Sequence, residues 1–194
     1  MTGLRTLMTL AVVTALVVTA TLATPTAVEQ AGGLQASVCN RLVGQGLDEG
    51  TITAATIVAP GDFVPPGTSG ERALAAAERT YGGLPEFCRV QATLTPSSDS
   101  DIKVEVWLPT AGWNGKYQAV GNGAFTGSIR HNSMAAALGR GYATSSTDTG
   151  HEGNTASFGL GHHEKVVDFG WRSVHEMTVA AKTLIGAYYE EAPR

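Results

Sequence analysis

The sequence predicts the opening half of an α/β fold, and three observations carry that reading. Apolar and polar residues alternate through Val90, Ala92 and Leu94 and again through Ile102, Val104, Val106 and Leu108, which is the period of a strand. A strand–helix–strand order follows between Lys116 and Thr147. Between Asp168 and Tyr189, apolar residues at Val174, Met177, Thr178, Ala181, Leu184, Ile185 and Tyr188 keep helical spacing.

Taken in order, the chain opens with Arg5 and an uncharged run from Leu7 to Leu22, then the small-residue pattern Thr21-Leu22-Ala23 and Pro25. That pattern predicts an export signal over residues 1–31, cleaved between about 23 and 31, because the run falls short of the roughly 20 residues a membrane span needs. Residues 32–194 are then the mature chain, part of one α/β domain, secreted and soluble. Val38 to Val43 and Ile52 to Val58 are apolar segments separated by glycines, and they suggest a surface N-terminal region. Pro60 to Gly70 is loop by composition. Glu71 to Thr80 is an Ala-rich helix closed by Gly82-Gly83. Ser97-Ser98-Asp99-Ser100 turns one strand into the next as a hairpin, and Lys116 to Val120 is a third strand. Ser133 to Gly139 is a short helix, Tyr142 to Thr147 a strand, and Gly153 to His163 a Gly-rich loop.

Composition removes some functions. A net charge of −4 with no Lys/Arg cluster argues against nucleic-acid binding, which relies on phosphate neutralisation. Two cysteines cannot make a Cys₄ zinc site. In an oxidising compartment Cys39 and Cys88 are expected to form a disulfide; the alternative, a catalytic thiol at Cys88, lacks a nearby histidine in sequence.

Three stretches could carry chemistry. After the third strand, Gly121-Asn122-Gly123-Ala124-Phe125-Thr126-Gly127 gives Gly-x-Gly-x-x-x-Gly, which presents bare N–H groups. It can be an oxyanion loop, a dinucleotide loop with its last glycine one position late, or a plain turn. Ser145 to Glu152 places Asp148 and His151 at the end of a strand, where α/β folds put sites. His162-His163-Glu164 lacks the i, i+4 histidine spacing of helical metal sites, so loop hydrogen bonds are the expected role. His175 on the long helix is expected to be buried and hydrogen-bonded. No G-x-S-x-G nucleophile elbow occurs in the 194 residues.

Trp113-Asn114-Gly115-Lys116, Val120-Gly121-Asn122-Gly123, Gly141-Tyr142-Ala143-Thr144, Ser146-Thr147-Asp148-Thr149-Gly150-His151, Glu164 to Gly170 and Val174 to Thr178, in that order, resemble the tannase/feruloyl esterase family. The resemblance runs from about Cys39 to Arg194. It implies an α/β-hydrolase fold, here its N-terminal part, and a secreted serine esterase that cleaves phenolic esters such as gallates and feruloyl esters. By the same resemblance Gly123, or alternatively Ala124 where the family usually has Gly, supplies an oxyanion-hole N–H. The family's nucleophile lies in a Gly-Cys-Ser-x-Gly-Gly elbow directly after the long helix. Its triad Asp and His, and a lid that often binds calcium, come later still. The chain is therefore expected to stop before the nucleophile and to be inactive alone, holding no cofactor or metal of its own. The expected partner is a small aromatic ester, with neither nucleic acid nor, after signal cleavage, membrane. A different class, a non-catalytic secreted binding module, would need aromatics on one flat face, and Trp107, Trp113 and Trp171 are scattered in sequence.

Overall fold

The computed structural model describes residues 27–194; the export signal expected over residues 1–31 lies outside them as far as residue 26. Five strands form one mixed sheet in the order β1-β2-β3-β5-β4. They are β1 Gly50–Val58, β2 Phe87–Leu94, β3 Ile102–Pro109, β4 Tyr117–Val120 and β5 Ala143–Thr147. The antiparallel meander β1–β2–β3 passes on to β5, also antiparallel to β3, and β4 runs parallel to β5. The β4–β5 crossover contains helix α3, His131–Leu138, which makes this the βαβ unit the sequence predicts. The hairpin at Ser97–Ser100 sits where it is expected, with Leu94 opposite Ile102.

Both faces of the sheet are covered. On one face Val104, Val106 and Leu108 of β3 meet Met177, Ala181, Leu184 and Ile185 of α5, Ser173–Tyr189, together with Leu42 beyond α1, Ala27–Arg41. On the other face Trp107 and Phe87 pack against Phe63, Tyr81 of α2 (Glu71–Tyr81) and Met134 and Leu138 of α3.

This two-sided cover corrects two expectations. The alternation in β3 suggests one wet face, yet only Lys103 is exposed, and Glu105 and Trp107 are buried under the Phe63 layer. The segments around Cys39 and Ile52 are not surface pieces. Cys39, Leu42, Ile52 and Ala55 are core residues, and β1 pairs with β2 along its length apart from an irregularity between Ile52 and Ala54. The Cys39–Cys88 disulfide fastens α1 to β2, with Cα atoms 5.7 Å apart.

The long C-terminal helix is also not regular, and it starts earlier than expected, at His163. Helix α4, His163–Val167, and α5 are joined by a π-turn over Asp168–Arg172. Arg172 donates from Nε to the fully buried Asp168 (2.6 Å) and from Nη1 to Glu164 (2.7 Å), holding the widened turn. The extra residue shifts the apolar stripe, so Ser173 enters the core and Val174 faces outward.

Candidate active site

The ends of β4 and β5 lie side by side, and the two loops that leave them are laced together. Asn122 donates from Nδ2 to the carbonyl of Thr147 (2.9 Å), tying the loop after β4 to the last residue of β5. The chain then folds into a turn at Gly123–Thr126, closed by the Thr126 N–H on the Gly123 carbonyl (3.2 Å). Ala124 stands at φ +48°, in the left-handed region where a Cβ is unfavourable. Gly123 does not have positive φ, and a Cβ built on it would meet open space. The glycine-demanding position of this turn is therefore residue 124. Among the described residues, no carbonyl accepts the N–H of Gly123, Ala124 or Phe125, and both Gly123 and Ala124 are exposed. The loop thus presents unengaged donors at the C-terminal edge of the parallel strands.

Gly127 closes the loop against its neighbour. Its N–H donates to the Gly153 carbonyl (2.7 Å), and a Cβ at this position would overlap the backbone carbonyl of His151. Only glycine permits that approach.

The loop after β5 is built on Asp148. Its Oδ1 accepts from the N–H groups of Lys103 and Gly150, both at 2.9 Å. Thr149 follows at φ +63°, an uncommon conformation for a β-branched residue. Burial pushes the Asp148 carboxyl up to about 6, against the pull of those two backbone hydrogen bonds. His151 is buried. Its Nε2 lies 3.0 Å from the Phe125 carbonyl, and its ring stacks on Phe158 at 3.9 Å between centroids.

Behind these loops opens a cleft of about 560 Å³ lined by Glu105, Ser128, His131, Asp148 and Glu152. At its floor sits a cluster that sequence reasoning missed. Glu105 accepts from Arg89 Nε (2.9 Å) and Nη2, from Trp107 Nε1 (3.0 Å), and lies 3.3 Å from His131 Nε2. Burial alone would raise this carboxyl, but the His131 and Arg89 contacts overcome it and hold the group at about 2. An Arg on β2 two residues out of register with a Glu on β3 was the available signal, legible only once β2 and β3 are paired.

Other candidates are placed elsewhere. Ser145 and Ser146 are buried and engaged, with Tyr117 Oη (2.6 Å) and the Arg130 N–H (3.0 Å) respectively. His162 pairs with Asp99 at 3.1 Å on the exposed side of the hairpin. His175 is exposed, because the π-turn rotates it away from the core. Among the described residues no group of three His, Cys, Asp or Glu is placed to hold a metal ion.

Comparison with known proteins places the chain in a family. The model of a family described as tannase and feruloyl esterase matches residues 88–194. An uncharacterized esterase of Xanthomonas campestris is 38% identical over 194 residues, covering 98% of this chain and 30% of the relative. Feruloyl esterase B of Aspergillus niger is 37% identical over 106 residues, 55% of this chain and 20% of that protein. The crystal structure of feruloyl esterase B from Aspergillus oryzae superposes with a TM-score of 0.71 at 27% identity, over 82% of this chain and 30% of that one. The chain spans about 30% of the length of the Xanthomonas relative and of that crystal structure.

Proposed function

Because the chain belongs to the tannase and feruloyl esterase family, we propose that it builds the oxyanion side of a secreted serine esterase acting on aromatic esters. The observation that carries the reading is the pair of unengaged, exposed amides at Gly123 and Ala124, beside the C-terminal end of the parallel pair. When a nucleophile attacks an ester carbonyl carbon, negative charge gathers on the carbonyl oxygen. Fixed N–H donors stabilise that charge without reorganising, and one such donor supplies about 3–4 kcal/mol. The Asn122–Thr147 hydrogen bond and the Gly127–Gly153 contact hold the loop so that its donors need no rearrangement. Serines 145 and 146 are buried in hydrogen bonds, which leaves them poorly suited to attack, and the 194 residues hold no nucleophile elbow.

The test is to read the coding sequence beyond Arg194, express the whole product, and assay methyl ferulate and methyl gallate beside an aliphatic ester. A Gly-Cys-Ser-x-Gly-Gly segment soon after α5, with preferential turnover of the aromatic esters, is the expected result. Residues 32–194 alone should leave all three intact. A complete product inert toward every ester would overturn the reading.

A further inference from the structure

We propose that His151 is a positioning residue for the oxyanion loop, holding the Gly123–Thr126 turn by a hydrogen bond from its imidazole to the Phe125 carbonyl. This rests on the esterase reading of that loop. The Phe125 carbonyl can only accept, so the proton on this edge of the ring belongs to His151 Nε2, 3.0 Å away. The other edge is also occupied, with Nδ1 3.3 Å from Thr149 Oγ1. Thr149 is itself fixed, its N–H donating to Thr147 Oγ1 (3.1 Å) and its hydroxyl to the Asp148 carbonyl (2.6 Å). With that hydroxyl's one proton committed to Asp148, Thr149 braces the Nδ1 edge by contact alone, and the Nε2–Phe125 hydrogen bond sets the ring's orientation.

Aromatic packing fixes the plane of the ring. Phe158 stacks on it at 3.9 Å and 22°, and Phe169 of the π-turn meets it edge-on at 5.6 Å and 70°. Phe169 also touches Phe125, 5.6 Å between centroids, so one aromatic cluster links the π-turn, the Gly-rich loop and the oxyanion turn. Gly127 lies directly against the His151 backbone, which excludes any side chain from the gap. A hydrogen bond one residue after Ala124 governs where the donors at 123 and 124 stand, and a displacement of about 1 Å is enough to lower turnover a hundredfold.

Two substitutions in the full-length enzyme separate the hydrogen bond from the packing. H151F keeps an aromatic ring against Phe158 and removes the donor. H151Q places an amide N–H near the position of Nε2. With methyl ferulate as substrate, H151F should lose about a hundredfold in kcat with KM nearly unchanged, and H151Q should recover most of it. Amide hydrogen exchange over residues 121–129 should quicken in H151F and return to the parent rate in H151Q. Parent-like kcat and exchange in H151F would overturn the proposal, as would equal losses in both variants. If the parent enzyme hydrolyses no ester, the esterase reading fails; the exchange rates still decide whether His151 holds the loop.

Discussion

Arg89 on β2 grips the carboxylate of Glu105 on β3 with both Nε and Nη2; Glu105 is buried and Arg89 half-buried on the sheet face shared with Trp107 and His131. Arg89 also lies over the Phe63 ring, 5.4 Å from its centroid, so the cation is packed as well as paired. Removing one partner leaves the other charge uncompensated in the interior. E105Q or R89M should each destabilise the protein by about 3–5 kcal/mol in denaturant unfolding. The Glu105 carboxyl is held down from 4.5 to about 2, so its contribution is complete above pH 4.5 and is lost as pH falls toward 2. Parent and E105Q unfolding curves should therefore converge on acidification through that window.

Asp148 has the opposite sign. Its carboxyl is raised from 3.8 to about 6, so the fold favours the protonated form. Nothing is lost to this group below pH 3.8, and stability falls as pH rises through about 6. Asparagine at this position keeps an oxygen for the Lys103 and Gly150 N–H groups and carries no charge. D148N should be more stable than the parent at pH 7 by on the order of 2 kcal/mol, with the difference vanishing near pH 4. Unfolding measured at the two pH values checks it.

Two strained positions should respond to glycine. Ala124 at φ +48° and Thr149 at φ +63° both occupy the left-handed region. A124G should raise stability by about 1 kcal/mol, and T149G by less, because it also removes a buried side chain and its hydrogen bond to the Asp148 carbonyl. The two then diverge in activity. A124G retains every backbone donor and should turn over aromatic esters at a rate close to the parent. T149G removes the hydroxyl beside His151 Nδ1 and should lower kcat. Thermal unfolding and turnover measured together test both statements.

Much of this layout could be read from residue order, since local signals decide it. Period-two alternation marks β2 and β3, and the Ala-rich run between Gly70 and Gly82 marks α2. The Gly121–Gly127 spacing locates the loop after β4 before any geometry is known. What escaped depends on partners distant in sequence. Glu105 reads as a solvent-facing residue until Phe63 and α2 cover it, and β1 reads as surface until β2 pairs with it. The π-turn could not be inferred from helical spacing, because the Asp168–Arg172 pair that braces it leaves no mark on apolar periodicity. His151 was visible at a strand end, but its link to Phe125 crosses between two loops.

The last prediction concerns the Cys39–Cys88 bridge. It joins the end of α1 to the start of β2 across a separation of 49 residues, and both cysteines are fully buried. Closing a loop of that length removes conformational entropy from the unfolded chain worth about 4 kcal/mol. The bonded pair also packs within the core beside Leu42 and Ala55, so opening it exposes apolar surface as α1 loosens from β1. Its distance from the loop after β4 separates the two effects. The loop hangs from β4 and β5, on the far side of β3 from β1 and β2. A C39A/C88A variant should lose about 3–4 kcal/mol in denaturant unfolding, while the turnover of any molecules still folded stays near the parent value. Mass spectrometry of the non-reduced parent should find no free thiol. Loss of turnover well below the unfolding transition would instead mean that the β1–β2 side of the sheet controls the loop.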